Sequence, residues 1–239
     1  MSVSIFLQQA TPTVTYHPIV LDALEEDQSS PPVLPELPQY TEVKHILATS
    51  GDIGVSLATA FANTLRSDPS SINIYQQTIK YNNQPAISLY HFPDYSLLIC
   101  STLLKEASEL DWYLANYLLN YKTQIYSISQ LLFSDLLPAL SSLSSSTTNL
   151  PMLPQRFSLH ALPAAIMIKS TLYGSLAHCL VVRDAHSVLD VYGEVKDSLK
   201  RAMGMLLKEF EVEIEALDVV EKALGFLVSS RKPKASYFV

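Results

Sequence analysis

The chain has 239 residues, a formal net charge of −7, 48% hydrophobic and 16% charged residues, and a mean hydropathy of +0.18. That length and apolar content can bury a sizeable core, as one large domain or two small ones. The acidic balance excludes nucleic acid as the main ligand, because neutralising phosphates takes clustered Lys and Arg, and the one basic cluster is Arg231-Lys232-Pro233-Lys234.

Residues 1–40 are polar and Pro-rich, with Glu25-Glu26-Asp27 ahead of Pro31, Pro32, Pro35 and Pro38. They read as an extended arm, not as a packed element. The domain begins with the apolar run Val43–Thr49. Ser50-Gly51-Asp52-Ile53-Gly54 then turns the chain into a helix whose apolar face is Leu57, Ala58, Phe61, Ala62 and Leu65. Three strand-like runs follow, Ile72–Ile79, Ala86–Phe92 and Tyr95–Cys100. Asn82-Asn83 and Pro93-Asp94 supply the turns between them.

Leu110, Tyr113, Leu114, Tyr117, Leu118 and Tyr121 share one face of a strong helix, and its tyrosines are either core or interface contacts. Gln124–Ser129 reads as a strand. The Ser/Thr-rich stretch Ser141–Asn149 reads as part of a mobile loop over 141–157. Leu162–Tyr173 is a helix with Pro163 in its first turn, and Ala177–Val182 is a buried strand. Val195, Leu199, Met203, Leu206, Leu207 and Phe210 line the next helix. A turn over Glu209–Glu215 leads to a last helix faced by Leu217, Val220, Leu224, Leu227 and Val228. Strands alternating with helices indicate one α/β domain over 41–230.

The apolar stretch from Leu162 to Val182 is broken by Lys169, Gly174 and His178, which suits a helix and a strand better than a membrane span. No basic-then-apolar leader opens the chain, so a cytosolic compartment is expected. High hydropathy with few charges suggests that a partner covers part of the surface. Cys100 and Cys179 lie in apolar runs without disulfide or metal spacing and read as small buried hydrophobes. No histidine has metal-ligand spacing.

Gly51-Asp52-Ile53-Gly54 stands where phosphate-binding loops stand, between a strand and a helix. It lacks both the third glycine of a dinucleotide fingerprint and the Gly-Lys-Ser/Thr of a P-loop, and Asp52 would repel a phosphate; a structural turn is the preferred reading. Arg183, Asp184 and His186 follow a strand at the edge where α/β sheets bind ligands. Asp184 orienting His186 as a general base is one reading; a solvated loop is the other, preferred because no elbow nucleophile or second acid accompanies them.

The chain closes on Tyr237-Phe238-Val239 behind the basic run with Lys232 and Lys234. This tail over 231–239 is either a tethered plug, with apolar anchors and a terminal carboxylate for a partner's pocket, or a segment folded back on the domain.

Four blocks together resemble the proteasome assembly chaperone superfamily. They are the strand–Gly-x-x-Gly–helix at Ile46–Leu65, the strand and long helix at Leu97–Tyr121, the Leu162-Pro163-Ala164-Ala165 helix leading to Cys179–Val182, and the late helix pair joined through Phe210–Ile214. They occur in order over residues 40–230. Leu-Pro-Ala-Ala, the arm and the tail point to the first subunit of the heterodimeric chaperone.

The resemblance implies a single α/β domain with a central mixed sheet flanked by helices, a sandwich related to nucleoside phosphorylases but without catalysis, metal or cofactor. It implies pairing with a second chaperone subunit on the outer face of the proteasome α-ring, in the cytoplasm and also the nucleus. Family tails of the pattern hydrophobic–Tyr–any residue enter pockets between α subunits, so Tyr237, Phe238 and Val239 become the docking residues. Lys232 and Lys234 would add attraction to an acidic rim. Phe238 stands where the family has Tyr, so a hydroxyl contact is missing while ring burial and the carboxylate remain. The competing reading is a phosphorylase-like small-molecule enzyme using the Asp184/His186 loop.

Overall fold

The computed structural model describes residues 33–69, 73–104, 108–131, 137–144, 150–154, 157–184 and 191–231. In chain order its elements are β1 (His45–Ser50), α1 (Gly51–Arg66), β2 (Tyr75–Tyr81), β3 (Gln84–Phe92), β4 (Leu97–Thr102), α2 (Ser108–Leu119), β5 (Gln124–Leu131), β6 (Leu140–Ser144), α3 (Ala161–Tyr173), β7 (Ala177–Arg183), α4 (Lys196–Glu209) and α5 (Ala216–Arg231).

The strands form one seven-stranded mixed sheet in the order β2-β3-β4-β1-β5-β7-β6. The central pairs β4/β1, β1/β5 and β5/β7 are parallel, and the flanking pairs are antiparallel. Helices cover both faces, as strands apolar on both sides require. Along β1, Leu47 faces the layer of α1, α4 and α5, while Ile46 and Ala48 face the layer of α2 and α3. β4 and β7 divide alike: Leu97, Ile99, Leu180 and Val182 point one way, and Leu98, Cys100, Cys179 and Val181 the other. Both cysteines are free and buried. No helix is long and apolar enough to cross a membrane among the described residues.

Local chemistry explains several junctions. Asn82 and Asn83 both have positive φ, which joins β2 to β3 through the tight hairpin turn that asparagine tolerates. Gly174 ends α3 in the left-handed conformation. The expected strands at Ile72–Ile79 and Tyr95–Cys100 begin later, at Tyr75 and Leu97, the second because Pro93–Tyr95 winds into a single 3-10 turn before β4.

The Ser/Thr-rich stretch needs correction. Its first residues are strand, not loop: Leu140–Ser144 pairs antiparallel with β7, from Leu140 against Val182 to Ser144 against His178. Ser141 and Ser142 are buried there, and pairing with a buried strand overrides the weak strand preference of serine. The Ser142 amide donates to the Pro151 carbonyl and the Leu153 amide donates back to Ser142, so this sheet edge is partly covered. Residues 145–149 lie outside the described residues.

The end of the Pro-rich arm is also packed. Residues 33–40 run alongside α2, and Leu37 and Tyr40 pack against its core layer. The tyrosine face of α2 is therefore neither pure core nor a free interface.

Candidate functional site

From β1 the chain crosses by α1 to one side of the sheet and later, by α2, to the other. The C-terminal ends of β4, β1 and β5 thus flank a topological switch point, where ligands of α/β sheets bind. Thr102, Ser50, Gln130 and, at the end of β7, Asp184 stand along this edge.

Gly51 opens α1 with φ +72, and a Cβ there would meet the Gln130 side-chain oxygen at 3.3 Å. Gly54 lies so close to β1 that a Cβ would stand 3.2 Å from that of Thr49. Each glycine of the Gly-x-x-Gly pair thus has a packing role, as the structural-turn reading expects.

Ser50 occupies the N-cap of α1 but makes no capping hydrogen bond through its side chain. Gln130 caps the helix instead: its Oε1 accepts the Ile53 amide at 3.0 Å, and its Nε2 donates to Asp184 Oδ2 at 2.8 Å. An anion bound at this helix start would need that same amide. Here a neutral oxygen takes it, and a carboxylate stands directly behind. Nearby, Thr49 and Ser101 share a buried hydroxyl hydrogen bond of 2.8 Å. The Arg183 guanidinium turns away to the Leu137 carbonyl and the Glu194 carboxylate. Among the described residues, the charges at this edge favour neither phosphate nor a nucleotide.

Asp184 is buried, and its Oδ2 accepts from Gln130. His186 lies outside the described residues, as do the tail residues Lys232, Lys234, Tyr237, Phe238 and Val239. The described chain ends with α5 at Arg231, immediately before the tail. Among the described residues, no group of three or more His, Cys, Asp or Glu side chains is placed to hold a metal ion.

Other polar groups hold elements together. At the opposite strand edge Tyr126 donates to Glu209 at 2.9 Å, accepts from Gln124 at 2.8 Å and stacks on His178. Burial lowers the His178 pKa, with Glu209 opposing, and pushes the Tyr126 phenol up. Lys169, on α3, donates to Asn116 and lies 4.7 Å from the centroid of the Trp112 ring, both on α2. His91 is sandwiched between Tyr40 and Tyr75, and burial lowers its pKa.

On α2 the tyrosine hydroxyls face the arm. Tyr113 donates to the Pro35 carbonyl at 2.8 Å and Tyr117 to the Pro38 carbonyl at 2.6 Å; the Tyr40 amide donates to the Tyr121 oxygen at 3.2 Å. Tyr117 and Tyr121 are 2.9 Å apart. The Tyr117 proton is spent on Pro38, so Tyr121 is the donor between them.

Solved structures that share this fold include the following three. Pyrococcus furiosus PbaA, an archaeal homologue of proteasome-assembly chaperone, is similar with a TM-score of 0.57 at 14% identity, over 84% of this chain and 91% of that one. P. furiosus PbaB, an archaeal proteasome activator, is similar at 0.53 and 12%, over 84% and 96%. A Mycobacterium tuberculosis proteasome-assembly chaperone homologue is similar at 0.53 and 10%, over 80% and 96%. At these identities the likeness is one of fold. No protein-family model and no curated protein matches the sequence.

Sequence reasoning missed Gln130. Nothing in Ser127-Ile128-Ser129-Gln130 marks its last residue as the cap of a helix 77 positions earlier.

Proposed function

We propose that the chain is a non-enzymatic proteasome assembly chaperone. It pairs with a second chaperone subunit and promotes α-ring assembly in the cytoplasm and nucleus, with Tyr237, Phe238 and Val239 docking between α subunits. The observation that carries this reading is the fold, shared over 84% of the chain with an archaeal homologue of proteasome-assembly chaperone. The switch-point edge fits a non-enzymatic role in one respect: Gln130 holds an amide that an anionic substrate would need, with Asp184 behind it.

The tail suits the role chemically. Phe238 is an apolar anchor, the Val239 carboxylate seeks a pocket cation, and Lys232 and Lys234 attract an acidic rim, an attraction that salt screens. Pairing has surface to cover: Leu172, Tyr173 and Leu176 cluster at the end of α3, 73%, 68% and 55% exposed.

The test is reconstitution. The full chain, co-expressed with candidate partner subunits and mixed with purified proteasome α subunits, is expected to run with them as a stoichiometric complex in size-exclusion chromatography. A stable chain that never co-elutes with α subunits, with or without a partner, contradicts the proposal. The enzyme reading requires that His186→Ala abolish function while folding stays normal; on the chaperone reading that variant assembles α-rings as the unsubstituted chain does.

A further inference from the structure

We propose that the tyrosine face of α2 is a binding site for extended, proline-spaced peptides, and that residues 33–40 of the chain occupy it as a tethered ligand. This is independent of the proteasome reading.

The bound segment has the form such a site selects. Pro35 and Pro38 fix their own φ, and each pushes the residue before it, Leu34 and Leu37, away from helix. Val33, Glu36 and Gln39 are exposed at a spacing of three, with Leu34 also exposed at the start of the segment, while Pro35, Leu37, Pro38 and Tyr40 are partly buried. Three residues per turn is the period of polyproline II. Five residue steps, from Pro35 to Tyr40, rise about 15 Å at polyproline spacing. Eight residue steps, from Tyr113 on α2 to Tyr121 just past its end, rise about 12 Å at helical spacing. The two ladders run in parallel and nearly in step, so Pro35 meets Tyr113, Pro38 meets Tyr117 and Tyr40 meets Tyr121.

The chemistry is also that of peptide recognition. The hydroxyls of Tyr113 and Tyr117 bond to backbone carbonyls, not to side chains. A proline-spaced segment offers carbonyl acceptors with few competing amides, which suits hydroxyl donors set on an aromatic ladder. The Tyr121–Tyr117–Pro38 relay leaves no hydroxyl proton unused. Any segment with the same carbonyl spacing meets these donors equally well. The arm has the advantage of its tether, which holds it at an effective concentration on the order of millimolar. The intact chain therefore resists a competing peptide, and loosening the arm opens the site.

The probe is a fluorescent synthetic peptide copying residues 31–41, titrated against the full chain and against the full chain carrying Pro35→Ala and Pro38→Ala. Leu37→Asp, which unseats the arm differently, is a second variant should the first fail to fold. Binding to the loosened chain is expected to be at least about tenfold tighter than to the unsubstituted one. Adding Tyr117→Phe to the loosened chain should weaken binding about fivefold, the worth of one hydrogen bond. A peptide with glycine in place of the prolines should bind more weakly still. Equal binding to loosened and unsubstituted chains, or indifference to Tyr117→Phe, overturns the proposal. So does failure to bind a loosened chain that retains its native circular dichroism, since the arm is then an inseparable part of the fold.

Discussion

The Gln130 side-chain oxygen accepts the Ile53 amide at 3.0 Å, so a residue at the end of β5 caps a helix that begins 79 positions earlier, at Gly51. This contact ties β5 to α1 across the switch point and occupies an amide at the helix start. Gln130→Ala should cost about 0.5–2 kcal/mol, the usual worth of a helix cap, measured by chemical denaturation. Millimolar inorganic phosphate should leave the thermal midpoint of the unsubstituted chain unchanged. A rise would reveal an anion site on the folded state.

The glycines separate by what surrounds them. Gly54→Ala must push against Thr49 and should destabilise by about 1–3 kcal/mol. Gly51→Ala adds a Cβ in the left-handed region, at a cost of about 1–2 kcal/mol. Gly225→Ala, inside α5 with nothing within 4 Å of the new Cβ, should stabilise by about 0.5–1 kcal/mol. Denaturation midpoints of the three variants check the order.

Asp111 sits in the first turn of α2, 5% exposed, and burial raises its carboxyl from 3.8 to about 7. The folded state therefore holds a proton that the unfolded state has already released. The contribution of Asp111 to stability is fully present below about pH 4 and is lost as pH rises to about 7, at about 1.4 kcal/mol per unit of displacement. Asp111→Asn should remove that slope and exceed the unsubstituted chain in stability above pH 7, with the difference shrinking toward pH 4. Urea denaturation at a series of pH values checks the sign.

Much of the fold was legible because its signals are local or periodic. The α1 face from Leu57 to Leu65 and the Asn82-Asn83 hairpin needed only spacing and turn chemistry, and both lie where expected. The failures are long-range. The Ser/Thr-rich stretch beginning at Ser141 reads as loop until β7 is beside it, and only that pairing makes a strand of Leu140–Ser144. Nothing in the sequence marks Asp111 as buried, yet tertiary packing buries it. The tyrosines of α2 carry a periodicity that cannot say their hydroxyls grip an arm some 80 residues away. The tail is legible only as a chemical pattern, and its residues lie outside the described chain.

The most direct test of the chaperone account is binding of purified α-ring by the chain with and without Tyr237–Val239, in the presence of its partner subunit. The account predicts that the truncated chain still pairs with its partner but binds the α-ring weakly. It also predicts that one residue added after Val239 does the same by displacing the carboxylate, and that Phe238→Tyr is tolerated. A truncated chain that binds the α-ring as tightly as the full one contradicts the claim that the tail is the anchor.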